Sequence, residues 1–344
     1  MRVTVYTGLI GFGLAGSAFH APMIAAAEGL HLSAVATSRA DAVKAAWPDA
    51  AVTTPEALIA DPAIDLVVIA TPNDSHASLA RAALEAGKHV VVDKPFVLDI
   101  RDGEQIIALA AEKGCLLSVY QNRRYDDDFL TLAHMLANDR VGEVSLFESR
   151  WDKLRTAIKP GWREQPGPGA GLLADLGPHL IDQALRLFGM PDALTADIAI
   201  QRPEARVDDY FELTLHYGAM RAILSASTLV ARPRPRFALH GTAGSLFSHG
   251  LDPQEASLRA GLKPDTQGFA QRAEHEASAT LFTGDGDAIE VRYFRGNYAA
   301  FYADMADAIT KGHEPPVDPA DALAVMRLIA LARQSAKTGA RIAC

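Results

Sequence analysis

The segment Asp175-Leu176-Gly177-Pro178-His179 sets a carboxylate and an imidazole four positions apart around a proline. Oxidising an alcohol requires a base that takes the hydroxyl proton as hydride leaves the same carbon, and a histidine titrating near neutrality suits that task. Proline favours the first turn of a helix, so Pro178 predicts a helix start with His179 in its first turn. There the positive end of the helix dipole disfavours imidazolium and keeps the base neutral until it takes a proton. Asp175, just ahead of the turn, is placed to orient substrate or imidazole. Lys94, in Asp93-Lys94-Pro95 at the end of an apolar run, offers an ammonium that holds a substrate hydroxyl and steadies developing alkoxide charge. Taken alone, a histidine at a helix start is commonly a cap or a surface group, and a lone lysine a solvated charge. Together, Lys94, Asp175 and His179 point to acid–base chemistry on an alcohol.

Such chemistry needs a hydride acceptor. An apolar run over residues 5–10 passes through Gly11-Phe12-Gly13-Leu14-Ala15-Gly16 into a small-residue helical stretch. Gly11 permits the tight turn, Gly13 lets a pyrophosphate approach the backbone, and Gly16 lets the helix pack on the strand. A dinucleotide is therefore expected against Gly11, Phe12, Gly13, Leu14 and Gly16. The second strand ends in Ala36-Thr37-Ser38-Arg39, with no acid where an NAD site binds the ribose diol. Ser38 and Arg39 suit a 2′-phosphate instead, which favours NADP over NAD. Equally, Ser38 is placed to cap the next helix, with Asp41 three residues on, and Arg39 to be a surface charge. Thr71, Pro72 and Asn73, after the fourth strand, are expected to pass under the cofactor, although Asn73, Asp74 and Ser75 also suit helix capping. His76 is read either as a cofactor contact or as a first-turn surface residue, and Lys94 as lying beside the nicotinamide. Two further segments face the ligand or serve as domain packing: residues 120–125, which include Asn122, and Gly161-Trp162-Arg163, where an aromatic beside an arginine suits a cofactor's ring and phosphates.

Two architectures must position these groups. Apolar runs at residues 5–10, 32–37, 51–53, 66–71, 90–93 and 116–120 alternate with helical stretches at 40–47, 55–60, 76–86 and 100–113. Near-continuous apolar strands belong to a parallel sheet covered on both faces, so residues 1–122 are read as an α/β, doubly wound Rossmann domain. Pro22 predicts a kink or restart in its first helix. Residues 123–344 are read as a second domain of α+β type, where the substrate is expected, with a large, mainly antiparallel open sheet. Its expected parts are helices at 126–138 and 178–188, a strand at 143–151, a Pro/Gly loop at 159–171, and strands at 195–201, 210–217, 219–230 and 236–240. A hairpin at Gly284-Asp285-Gly286 and helices at 297–311 and 319–335 follow.

The chain has 344 residues, 49% of them apolar and 22% charged, enough for two full cores. A net charge of −9 leaves no basic stripe for nucleic acid. No leader pattern and no membrane-length apolar run is evident. Two cysteines without metal-spaced partners exclude a disulfide framework and fit a cytoplasmic protein, and none of the eleven histidines pairs at metal-ligand spacing.

Gly11–Gly16, Thr71-Pro72-Asn73, Asp93-Lys94-Pro95 and Asp175-x-Gly177-x-His179, in this order, resemble the glucose–fructose oxidoreductase/inositol dehydrogenase (Gfo/Idh/MocA) family over essentially the whole chain. The resemblance implies that Lys94, Asp175 and His179 line a substrate site, with His179 as acid and base. The family's usual glutamate before the lysine is here Asp93, a shorter arm. Phe19-His20-Ala21-Pro22, Ser118–Arg124 and Trp162-Arg163-Glu164 look like the branch containing NADP-dependent scyllo-inositol dehydrogenases. That implies Trp162 and Arg163 at the cofactor, a cyclic polyol or sugar as substrate, and a homodimer or homotetramer built on the open sheet face. Two alternatives stay open: a non-catalytic NADP-binding regulator on the same fold, and an aldose reductase, sugar–sugar oxidoreductase or dihydrodiol dehydrogenase.

Overall fold

A computed structural model describes residues 4–344. The chain begins with β1 (Val5–Ile10), a wide turn over Ala15–His20, α1 (Ala21–Ala26), β2 (Leu30–Ala36), α2 (Ala40–Ala46), β3 (Ala51–Thr53) and α3 (Pro55–Ala60). It continues through β4 (Leu66–Ile69), α4 (His76–Glu85), β5 (His89–Asp93), α5 (Ile100–Lys113) and β6 (Leu117–Tyr120). The strands pair in parallel in the order β3-β2-β1-β4-β5-β6. Every residue of β4 is buried, as a central strand covered on both faces must be. The order reverses direction between β1 and β4, and ligands of such sheets sit at the carboxyl ends of strands flanking that point. The expected restart at Pro22 is present. Ala21 donates to the Gly16 carbonyl five residues back, and α1 opens with Pro22 in its first positions.

The rest of the chain holds α6 (Asp127–Ala137), β7 (Val144–Asp152), α7 (Leu172–Phe188), β8 (Ala193–Ala199), β9 (Tyr210–Tyr217), β10 (Met220–Ser227), β11 (Phe237–Gly241) and β12 (Gly244–Ser248). Then come α8 (Gln254–Arg259), β13 (Ser278–Thr283), β14 (Ala288–Arg292), α9 (Tyr298–Lys311), α10 (Pro319–Thr338) and β15 (Ile342–Ala343). A nine-stranded sheet runs β14-β13-β12-β11-β7-β10-β9-β8-β15, antiparallel except for the pair β7–β10. Along β9, Phe211, Leu213 and Leu215 are buried in alternation with half-buried polar residues. They join Phe147, Leu173, Leu180 and Ile181 in one core.

The chain forms two compact units, and the first is not continuous. It comprises residues up to Tyr125 together with Pro253–Gln271 and Asn297–Leu323, while Asp126–Asp252, Arg272–Gly296 and Ala324–Cys344 form the second. The chain first crosses between the units after Tyr125, where a boundary after residue 122 is expected from the sequence, and it returns to the first unit twice more. The second return has a physical cause: Tyr298, Phe301, Tyr302 and Met305 on α9 are fully buried in the core that contains Leu9, Val91 and Tyr120.

A second difference bears on chemistry. The helix expected to open at Pro178 begins at Leu172, and Pro178 lies inside it. A proline there forfeits one backbone bond, to the Ala174 carbonyl. Gly177 ahead of it carries no β-carbon to meet the proline ring, and Leu172, Leu173 and Leu176 bury with the rest of the helix in the core. His179 is therefore well inside the helix, and it is Asp175 that occupies the first turn. The dipole argument transfers to Asp175, whose carboxylate the helix start favours.

Candidate active site

In the first unit, Gly11 adopts φ +99°, and a β-carbon there would strike the Ala70 carbonyl. A β-carbon on Gly16 would collide with the Gly11 carbonyl. Around Gly13, by contrast, nothing lies within 4 Å of where a β-carbon would stand. The turn is therefore packed at both ends, at Gly11 against the chain just after β4 and at Gly16 against itself, and leaves bare backbone open in the middle, which fits the pyrophosphate of a dinucleotide. Phe12 points into the core and offers a ligand only its backbone, while Leu14 is exposed.

At the end of β2, Ser38 does not cap α2. Arg39 holds the N-cap position, its amide donating to Thr37 Oγ1 (3.1 Å). Thr37 takes up the local turn, which moves the helix start one residue beyond Ser38. Ser38 and Arg39 are both exposed, and neither side chain has a protein partner among the described residues.

His76 is not a surface residue. It is 1% exposed, with Nδ1 2.9 Å from the Pro95 carbonyl and Nε2 3.1 Å from the Thr71 carbonyl. The ring ties the loop after β4 to the loop after β5. Ser75 Oγ closes the first loop by donating to Thr71 Oγ1 (2.7 Å) and to the Pro72 carbonyl (2.8 Å), and Asn73 opens the short helical turn that follows. Lys94, half-buried, directly follows β5, and its amide donates to Asp93 Oδ1 (2.8 Å). Asp93 Oδ2 lies 3.6 Å from Nε2 of the buried His20, whose Nδ1 meets the Tyr302 hydroxyl. Burial pushes the Asp93 carboxyl up, but His20 and the charges of Lys94 and His76 outweigh it and hold it below the usual range. Asn122 is buried. Its neighbours are engaged in packing: Arg123 donates to the Tyr298 hydroxyl and pairs with Glu255, and Arg124 pairs with Asp321 (3.1 Å).

In the second unit, Asp175 and His179 stand one turn apart on α7. His179 is 5% exposed and stacks on Trp151 at the end of β7, ring centroids 6.3 Å apart. Asp175 Oδ1 lies 3.5 Å from Nε of Arg163, whose guanidinium covers the Trp162 ring at 4.6 Å. A cavity of about 180 Å³ is lined by Asp175, Trp162, Arg163, Arg155, Lys159 and Thr228 among others.

Two supports of this site carry no local sequence signal. Gly171, at the N-cap of α7, has no side chain to cap with. Asp208 supplies the cap from 35 residues away, accepting from Leu173 N through Oδ2 (2.7 Å), and a β-carbon on Gly171 would run into its carboxylate. Glu164, beside Trp162 and Arg163, is buried and accepts from Arg155 (2.6 Å) and Arg202 (2.7 Å), with Arg202 bound in turn to Asp209 (2.8 Å). The structure thus gathers Asp175, His179, Trp162 and Arg163 in the second unit, and the glycine turn, Ser38, Arg39, residues 71–76, Lys94 and Asn122 in the first.

The family profile described as "Oxidoreductase family, NAD-binding Rossmann fold" matches residues 5–121, and the one described as "Oxidoreductase family, C-terminal alpha/beta domain" matches residues 133–344. The chain belongs to the Gfo/Idh/MocA oxidoreductase family. Within that family it is 44% identical to the uncharacterized oxidoreductase YdgJ of Escherichia coli (strain K12), over 98% of both chains. It is 39% identical to the scyllo-inositol 2-dehydrogenase (NADP(+)) IolW of Bacillus subtilis (strain 168), over 97% of this chain and 94% of that one. The solved structure of YPO2259 from Yersinia pestis superposes with a TM-score of 0.95 at 40% identity, covering 100% of this chain and 98% of the other. This Gfo/Idh/MocA protein is accordingly an oxidoreductase with an NAD(P)-binding Rossmann domain. Among its described residues, no helix is long and apolar enough to cross a membrane.

Proposed function

We propose that the protein is an NADP-dependent dehydrogenase acting on a secondary alcohol of a cyclic polyol or sugar. The observation that carries this reading is the pairing of Asp175 with the buried His179 on one helix, in a chain whose glycine turn is open at Gly13. A bound nicotinamide supplies the hydride acceptor, and returns hydride in the reverse direction. The chain's own groups do the rest. Backbone N–H groups of the glycine turn hold the pyrophosphate, and Ser38 and Arg39, exposed and unengaged, hold the 2′-phosphate. Lys94 donates to the reacting oxygen. His179 takes the hydroxyl proton as hydride leaves the carbon, so that the C–H and O–H bonds break and a carbonyl forms. Asp175 accepts from a substrate hydroxyl and fixes its orientation. The 39% identity to a relative named for scyllo-inositol and NADP(+) supports both the substrate class and the cofactor.

The test is a panel of inositols and aldoses with NADP and with NAD, followed by the absorbance of the reduced nicotinamide. Turnover on at least one inositol is expected, with kcat/KM for NADP higher by roughly tenfold or more. A preference for NAD would remove the assigned role of Ser38 and Arg39. The absence of turnover with every cyclic polyol, in both directions, would remove the substrate class.

A further inference from the structure

Lys153 directly follows β7, and the chain stays extended and paired there. Lys153 N donates to the Ser227 carbonyl (3.0 Å), and Val230 N donates to the Lys153 carbonyl (3.1 Å). Side chains of extended backbone alternate between faces. Asp152 faces one way, where Arg234 grips its carboxylate with two bonds of 2.7 Å. Lys153 faces the other way, with Trp151, the residue on which His179 stacks. The three arginines nearby are engaged: Arg155 by Glu164, Arg202 by Glu164 and Asp209, and Arg163 by Asp175, while Lys159 is exposed. The half-buried Lys153 ammonium has no hydrogen bond or ion pair among the described residues. Burial, helped by the Arg155 charge, lowers its pKa from the ordinary lysine value against the upward pull of Asp175, and Lys159 and Glu164 add smaller opposing effects. A cation drawn out of water without a partner is costly to keep, and such groups concentrate where a ligand completes them.

We propose that Lys153 is a substrate-binding residue that donates to the hydroxyl next to the one oxidised, so that Lys153 and Asp175 together read a vicinal diol as a donor and an acceptor. This rests on the polyol reading above, and it narrows that reading to substrates whose reacting alcohol has a hydroxyl on the adjacent carbon. Lys94 acts on the oxygen that loses its proton; Lys153 acts on the neighbour that does not.

The experiment compares wild type with Lys153→Met and Lys153→Arg on the best inositol and on its deoxy analogue lacking the adjacent hydroxyl. It records kcat and KM, and the ligand's Kd by calorimetry. For the inositol, Lys153→Met is expected to raise KM and Kd by roughly 10- to 100-fold while kcat changes by less than about threefold, as the loss of one charged hydrogen bond implies. For the deoxy analogue, wild type and Lys153→Met should have the same KM, because the partner oxygen is already gone. Lys153→Arg should recover part of the affinity for the inositol. Unchanged KM and Kd for the inositol in Lys153→Met overturn the proposal, and so does an equal loss on both ligands, which would mark a general effect on the fold or the local charge. A wild type that turns over inositols while Lys153→Met matches it removes only this inference. A wild type inactive on every polyol removes both.

Discussion

In the first unit, the groups suited to a ligand are backbone amides of a glycine turn and two exposed side chains, Ser38 and Arg39, that the protein itself does not engage. In the second, His179 is buried against Trp151, Asp175 sits in a capped helix start, and the loop carrying Trp162 is pinned through Glu164 to two arginines. The first arrangement is made by two short runs of adjacent residues, Gly11–Gly16 and Ser38-Arg39. The second is made by side chains brought from far apart, so its groups depend on one another. A ligand whose shape is common to many proteins suits the first kind of site. A substrate that must be told from its isomers suits the second, where the side chains are held by partners far along the chain.

Four variants break or sharpen this contrast. The largest effect is expected from His179→Ala, which removes the proposed base. The value of kcat should fall by roughly 10²–10⁴-fold while NADPH binding, measured by the fluorescence of its reduced nicotinamide, stays at the wild-type level. A parallel loss of cofactor binding would mean that the two sites are not separable in this way.

Next is Asp128, at the start of α6. Its neighbour Asp127 is gripped by Arg272 through bonds of 2.6 and 2.7 Å. Asp128 is pushed up to about 7 by burial and the charge of Asp126, with Arg236 opposing. A carboxyl raised in the folded state leaves the unfolded chain with fewer protons between its ordinary value of 3.8 and about 7. Stability is therefore lost as pH rises through that window. Asp128→Asn should flatten the slope and stabilise the protein above pH 7 by up to about 4 kcal/mol, read from denaturant midpoints at a series of pH values. A wild type whose stability rises across the same window would contradict the assignment.

Glu164→Ala leaves Arg202, whose side chain is 1% exposed, with one carboxylate instead of two. Stability should drop by about 3 kcal/mol in urea unfolding followed by Trp fluorescence. The smallest effect is expected from Arg39→Ala, an exposed residue. KM for NADP should rise roughly tenfold, with KM for NAD unchanged and the melting temperature within about a degree.

What is legible in the sequence follows the same division. The glycine turn, the strand ends carrying Ser38, Thr71 and Lys94, and the alternation of strand and helix depend on residues next to one another, and all can be read from the chain. The start of α7 cannot, because proline is a strong local signal for a helix start, while the evidence for an earlier start lies in three leucines that only the folded core makes decisive. Ser38 has the spacing of a cap, but Thr37, one residue earlier, takes the turn. His76 has no place that spacing could give it, since its partners are the carbonyls of Thr71 and Pro95 on two different loops. Asp208 is a further case: nothing near Gly171 announces that the missing cap comes from residue 208. The destination of α9 is equally hidden, because an apolar helix face does not state which core it joins.

That last feature bears on how the protein is made. The buried ring of Tyr120 meets Phe301 edge to face at 4.9 Å and lies 5.5 Å from Tyr302, and Ser118 Oγ donates to the carbonyl of Val317, 199 residues later. A nascent chain that has emerged only as far as Tyr125 carries all six strands of the parallel sheet but not the aromatic wall that closes its core. The early half must wait, with apolar surface open, until residue 323 leaves the ribosome. A gene cut after residue 122 would therefore yield a sheet with one side unfinished, and the shortest self-sufficient version of the nucleotide-binding half is one into which α8 and α9 have been spliced back.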